Sequence, residues 1–169
     1  MKIYVDWIER VKILQKAAIV NKEGKILALR RSNDQKRPRP GCWDLCGGRV
    51  EASDIEKWKE NSGRGDENDI LINALRREIK EETNLEVRNN RAIHAASAFS
   101  DKKNSLIVAI GYCGQAANES ELKLSGEHVE YRWVAKDDFL NLEIGDDGGL
   151  IGSILKNVNF DYAKQKWEN

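Results

Sequence analysis

Apolar runs and short polar breaks alternate along this chain, and the period of each run predicts an element. Residues Val11 to Arg31, VKILQKAAIVNKEGKILALRR, hold two apolar runs parted by Asn21-Lys22-Glu23-Gly24, the pattern of two antiparallel strands joined by a short glycine-containing loop. A polar, cationic loop, RRSNDQKRPRPG, follows with the only two prolines, Pro38 and Pro40. It leads into CWDLCGGRVE, where Gly47-Gly48 permits close backbone approach. Residues Ala52 to Gly65 hold Trp58 among Ser53, Asp54, Ser62, Gly63 and Gly65, and read as an insertion with a short helical turn, outside the core. From Asp69 to Thr83 the helical period appears: Ile72, Leu75 and Ile79 form one stripe with Leu71 beside it, and Asn84 suits a left-handed helix end.

Beyond that helix LEV, AIHAASAF, SLIVAIGYCG and VEYRWVA read as strands, joined by DKKN and QAANESELKLSGE. After the loop Glu143-Ile144-Gly145-Asp146-Asp147 a final helix spans roughly Gly148 to Trp167. The order β-β-loop-α-β-β-β-α predicts an α+β or mixed α/β fold. Without internal repeats or linkers, it predicts one domain over residues 1–169, with the insertion around 52–68.

Composition narrows the function classes. The chain has 169 residues, 40% of them hydrophobic, enough for a sizeable core. Its 28 basic and 28 acidic side chains cancel, so no global field recruits a nucleic acid polymer or an anionic membrane, and any phosphate binding is local. No apolar run approaches the roughly 20 residues of a membrane helix, and the expectation is a soluble, cytoplasmic protein. Cys42 and Cys46 lack a second pair to complete a zinc site, so these and Cys113 are expected as reduced structural thiols. His94 and His128 lie in different segments, against a histidine-based metal site.

The candidate chemistry lies in RREIKEETNL, Arg76 to Leu85. At about 100° per residue Glu78, Glu81 and Glu82 share one helix face beside the apolar stripe. They repel one another and oppose the negative helix end. Two readings stand: a solvated acidic face offset by Arg76, Arg77 and Lys80, or a site for Mg²⁺ or Mn²⁺, since hard cations take oxygen ligands.

The run Arg77-Glu78-Ile79-Lys80-Glu81-Glu82-Thr83-Asn84-Leu85 resembles the second half of the Nudix box, G-x5-E-x7-R-E-U-x-E-E-x-G-U, where U is a bulky aliphatic residue. WDLCGGRVE resembles the box entry, commonly W-x-x-P-G-G-x-x-E, and the hairpin and EHVEYRWV fit the family's order, so the resemblance covers roughly Val11 to Phe139. Asn84 replaces the usual Gly, Cys46 stands where Pro is common, and the distance from Gly48 to Asp69 exceeds the box spacing. Asp69 is then expected at the first box Glu, after an insertion; Gly63 also lies six positions before it, but Trp43-Asp44-Leu45 and Gly47-Gly48 favour Gly48 as the box glycine.

The resemblance implies an αβα sandwich with a mixed sheet between helices, and a MutT-like pyrophosphohydrolase. It implies Glu78 and Glu82 as ligands of Mg²⁺ or Mn²⁺, Glu81 as a ligand or a holder of metal-bound water, and the Gly48 carbonyl as a further ligand. Arg77 would orient the carboxylates, pairing with Asp69. Water would attack a diphosphate linkage of a small-molecule nucleotide or nucleoside diphosphate derivative. Glu127 matches a place where some members carry an additional catalytic or metal-binding Glu, with Glu130 as its competitor. Arg30 and Arg31, ahead of Arg37 and Arg39, are candidates for phosphate contacts by bidentate hydrogen bonds, against a solvated loop charge for each. Asp146 and Asp147 stand where MutT-like sanitisers place base-recognising residues; helix capping is the alternative. The absence of a proline after Pro40 favours nucleoside triphosphates over ADP-ribose. Two other classes stay open: a catalytically silent nucleotide-binding module, and a prenyl diphosphate isomerase needing a reactive Cys46. Trp43 and Trp133 are expected as core or pocket walls, whereas Trp58 could cap the pocket, pack on the sheet or make a homodimer contact.

Overall fold

Strands β1 (Arg10–Val20) and β2 (Ile26–Arg31) form the predicted hairpin, and the Asn21 side chain shapes its turn by accepting from the Glu23 and Lys25 amides at 3.1 and 2.8 Å. The computed structural model describes residues 10–36, 38–60, 69–145 and 149–159, and of Lys102 only the backbone. Along the chain follow β3 (Trp43–Asp44), α1 (Ala52–Glu60), α2 (Ile70–Thr83), β4 (Val87–Ser100), β5 (Ser105–Ala116), β6 (His128–Val134), α3 (Lys136–Leu140) and α4 (Leu150–Asn157). The sheet runs β3-β2-β1-β5-β4, with β6 also paired to β2. β1 and β5 are parallel from Arg10↔Ser105 to Val20↔Gln115, while the other pairs are antiparallel, which makes the sheet mixed.

Both sheet faces are covered, which explains why β1 and β2 read as continuous apolar runs rather than alternating ones. Ala18, Val20, Ile26 and Ala28 face a core completed by Phe139 of α3 and by Leu150, Ile151, Ile154 and Leu155 of α4. Ala17, Ile19, Leu27 and Leu29 face the other core, with Leu75 and Ile79 of α2, Leu85 and Tyr112. The period-two alternation of strand side chains thus feeds two layers at once, giving an αβα sandwich with a mixed sheet between helices, as the resemblance implies. Among the described residues no helix is long and apolar enough to cross a membrane.

Three expectations change. Val87, the last residue of LEV, and AIHAASAF belong to one strand, β4, whose polar middle Arg88-Asn89-Asn90-Arg91 is absorbed by register shifts with Asn89 at φ 53°. Residues 52–60 form a full helix, not a single turn, although Asp54 is its one buried residue. The final helix starts at Leu150 and stops at Asn157, where Val158 turns extended; Asp146 and Asp147 lie outside the described residues, as does the end of the helix expected to Trp167.

α2 begins and ends as its sequence dictates. Asp69 accepts from the Ile72 amide at 2.9 Å as N-cap, and Asn84 closes the helix at φ 57°, its N–H donating to Lys80 O. Asp69→Ala should therefore lower stability by about 1 kcal/mol, read as a shift of the urea midpoint with unchanged slope. A loss of activity without that shift would contradict the capping role.

Candidate active site

The glycine turn is pressed between β1 and α2. The segment after β3 runs along β1, where the Ala17 amide donates to Cys46 O and the Gln15 amide to Gly48 O, each at 2.8 Å. At Gly47, φ is 131° and a Cβ would strike the Gln15 carbonyl; at Gly48 a Cβ would occupy the place of the Glu78 carboxylate. Two residues without side chains are thus what brings main-chain atoms against the acidic end of α2.

Arg77 clamps that arrangement. Its Nε and Nη2 donate to the two Asp54 oxygens at 2.8 and 2.9 Å, a bidentate pair, while Nη1 donates to Glu78 at 3.0 Å and Glu81 at 3.1 Å. Nη2 also reaches the Arg49 carbonyl at 3.0 Å. The partner of Arg77 is therefore Asp54, not Asp69, which is committed to capping α2. Asp54 stands six positions after Gly48, the spacing the box allots to its first acid, so the extra chain lies after it: 22 residues separate Asp54 from Arg77 where the pattern has seven. The insertion does not displace the first acid; it parts α1 from α2. Asp54 also accepts from the Glu51 amide at 2.8 Å, and its pKa is lowered by the hydrogen bonds of Arg77.

The three box carboxylates differ in environment. Glu82 is buried and accepts from the Gly47 amide at 2.8 Å and from Cys46 Sγ at 3.0 Å. Glu78 is largely buried beside Gly48, with Arg77 and the Arg49 amide as donors. Glu81 is 59% exposed. Burial raises the pKa of both Glu78 and Glu82, against the lowering pull of Arg77 on the first and Lys16 on the second. As the side chains stand, no three Asp, Glu, His or Cys groups among the described residues converge on one point, and the Arg77 guanidinium bridges Glu78 and Glu81. The donor chemistry nevertheless suits a small hard cation: carboxylate oxygens and a carbonyl from Gly48, which accepts a single hydrogen bond from Gln15.

A second charged layer lies beneath and beside the turn. Lys16 and Asp44 form a buried ion pair at 2.7 Å, and Asp44 also receives Arg31 at 3.1 Å and Arg39 at 3.6 Å. Burial pushes the Asp44 carboxyl up, but Lys16 and the two arginines outweigh it and hold it low. Arg30 donates to the Gly41 carbonyl at 3.1 Å and pairs with Glu130 at 3.3 Å. Glu130 also pairs with Arg132, whose guanidinium lies 4.7 Å from the centre of the buried Trp43 ring. Arg37 lies outside the described residues.

Glu127 is exposed, and its backbone joins two parts of the site: its carbonyl accepts from Ser32 at 2.9 Å, just after Arg31, and its amide donates to Ser125 Oγ. The Ser125 amide in turn donates to the Glu82 carbonyl at 3.0 Å. Buried His128 stands with Nε2 4.0 Å from Glu82, and burial together with Arg31 and Lys16 lowers its pKa to about 4, so it is neutral at pH 7. Cys46 is fully buried, and desolvation with Glu82 beside it pushes its thiol well up, opposite to what a nucleophilic thiolate needs. Cys42 and Cys113 are likewise free thiols. The sequence does not single out Lys16, Asp44, Asp54 and His128 as site residues; the signals it holds are the six-position spacing from Gly48 to Asp54 and the charges set in the largely apolar stretches QKAAIV and WDL.

Comparison with known proteins agrees with this fold. A family model described as the NUDIX domain matches residues 16–149. The MutT protein from Methanosarcina mazei Go1 shares 27% identity over 93% of this chain and 97% of its own, with a TM-score of 0.62. A MutT NUDIX hydrolase from Burkholderia pseudomallei shares 22% over 89% of this chain and all (100%) of its own, at 0.60. The NUDIX domain of Shewanella oneidensis NrtR, solved with ADP ribose, shares 17% over 89% and 88%, also at 0.60. No curated protein matches the chain by sequence. With four-fifths of its length inside the family model and this fold, the chain belongs to the NUDIX domain family and is a Nudix hydrolase, acting on phosphorus-containing acid anhydrides.

Proposed function

We propose that the chain is a Mg²⁺- or Mn²⁺-dependent pyrophosphohydrolase of a nucleoside di- or triphosphate, or of another nucleoside diphosphate-linked compound. The observation that supports this best is the pair of inward carboxylates, Glu78 largely buried and Glu82 buried, held against the main chain of Gly47-Gly48. Glu78, Glu82 and the Gly48 carbonyl would hold the cation, and Glu81, more exposed, would hold its water or add a ligand. When bound, the metal neutralises phosphate oxygens and lowers the pKa of attacking water.

The chain's own residues supply the rest. Arg77 holds Glu78 and Glu81 in register and anchors them to Asp54 and Arg49. Arg31 and Arg30 present the cationic edge of β2 to the phosphates, Arg31 set by Asp44 and Arg30 by Glu130. Glu127, on the loop tied to Ser32 and to the end of α2, is the candidate for the additional carboxylate that accepts a proton or holds metal, with Glu130, which pairs with Arg30 and Arg132, as its competitor. Asp146 and Asp147 remain candidates for base recognition. NrtR from Shewanella oneidensis holds ADP ribose, a nucleoside diphosphate derivative, in this same fold, which supports that ligand class. A small molecule, not a nucleic acid polymer, is the expected partner.

A panel of nucleoside di- and triphosphates and diphosphate-linked nucleosides, assayed with Mg²⁺ or Mn²⁺, should give release of phosphate, pyrophosphate or a nucleoside monophosphate that EDTA abolishes. Glu82→Gln keeps the side-chain shape and should lower turnover by roughly 10²-fold or more; equal rates in wild type and variant would sink the metal assignment. Binding without turnover across the panel would point instead to a silent binding module.

Asp54→Ala should release Arg77 and lower kcat by roughly 10-fold to 100-fold, whereas Asp69→Ala should leave kcat near wild type. The reverse pattern in kcat would restore Asp69 as the box acid.

A further inference from the structure

Beneath the glycine turn sits an ion pair where the strand pattern calls for apolar side chains. Lys16 is 3% exposed and Asp44 1%, and Nζ lies 2.7 Å from Oδ2. Removing two charges from water is costly, and well-packed apolar residues often serve stability as well or better, so such a pair is weak evidence for a purely stabilising role. What the two ends touch is more telling.

From Lys16, Nζ donates to the Leu45 carbonyl at 3.0 Å and to the Gly47 carbonyl at 3.4 Å. These belong to the turn whose Gly47 amide holds Glu82 and whose Gly48 abuts Glu78. From Asp44, Oδ2 receives Arg31 and Arg39 as well as Lys16. One buried cation therefore grips the turn that faces the carboxylates, and one buried anion grips two arginines of the β2 edge and the loop after it.

We propose that Lys16 and Asp44 are positioning residues for hydrolysis, an assignment that rests on the metal-dependent reading of the site. Lys16 fixes the turn that sets Glu82 and the Gly48 carbonyl; Asp44 fixes Arg31 and Arg39 on the side where phosphates enter. The division of labour separates metal binding from substrate binding, and it gives opposite signs to two effects of removing Lys16. As a mere nearby charge, Lys16 repels a divalent cation, so its loss would tighten metal binding. As the holder of the turn, its loss loosens the ligand set and weakens metal binding.

The test is Mn²⁺ binding by electron paramagnetic resonance on wild type, Lys16→Met and Asp44→Asn, with kcat and KM for the best substrate and thermal unfolding of each. Lys16→Met should weaken Mn²⁺ binding by roughly 10-fold to 100-fold. Asp44→Asn, which leaves the carbonyl bonds of Lys16 in place, should leave Mn²⁺ affinity near wild type and raise KM by about tenfold with little change in kcat. If Lys16→Met does not fold, Lys16→Met/Asp44→Leu removes both buried charges together and is read the same way. Mn²⁺ binding as tight as or tighter than wild type in the folded Lys16 variant, or wild-type KM in Asp44→Asn with only a lower unfolding temperature, would overturn the proposal. Wild-type protein that hydrolyses the panel and binds Mn²⁺ while the variants match it would sink this assignment alone; wild type that binds no Mn²⁺ would sink the metal reading beneath it as well.

Discussion

The contact on which the site depends is the close approach of the Gly47-Gly48 main chain to the last turns of α2. It puts a buried amide on Glu82 and leaves room for the Glu78 carboxylate only because both turn residues lack a Cβ. The hairpin, the parallel pairing of β1 with β5 and the Leu75/Ile79 stripe all serve to bring that turn and that helix together. Arg77 then locks the contact from the solvent side by bonding the helix carboxylates, the Arg49 carbonyl and Asp54 of α1 at once.

The arrangement holds electrostatic strain in a definite direction. Glu78 and Glu82 have folded-state pKa values above the ordinary 4.5 because they are desolvated beside other acids. Above the unfolded value the folded protein then binds protons that the unfolded chain does not, so this term lowers stability as pH rises from 4.5 through the raised values. A cation bound to the two carboxylates removes that penalty, which ties the cost of folding them inward to ligand binding. Asp44 behaves oppositely: its depressed pKa contributes stability above the ordinary 3.8 that is lost as pH falls through the folded value. The acid centre facing the turn thus suits the proposed cation, while the acid centre beneath it has its cations already in Lys16, Arg31 and Arg39.

Helix α2 is legible because it carries a three-dimensional instruction in one dimension. Ile72, Leu75 and Ile79 mark the buried side, Asn84 the end, and Glu78 and Glu82 fall where that stripe meets the turn. The same clarity misled at Asp69. Seven residues part Asp69 from Arg77, as the box asks of its first acid, but Asp69 is the N-cap of α2, while Asp54 keeps the box distance from Gly48 and meets the guanidinium. Once 22 residues separate α1's acid from Arg77, sequence distance no longer reports which carboxylate the guanidinium meets. Lys16 and Asp44 are hidden for another reason: strands buried on both faces read as apolar runs, and nothing in β1 or β3 says that the charge on one meets the charge on the other.

In the proposed reading Glu78, Glu82 and the Gly48 carbonyl form a hard-cation site. Anomalous diffraction from crystals soaked in Mn²⁺ tests it most directly. A peak within coordination distance of both carboxylates and of the Gly48 oxygen, roughly 2.0–2.3 Å, is the predicted result. A peak elsewhere, or Glu78 still paired with Arg77 and no peak at Gly48 at saturating Mn²⁺, would contradict it.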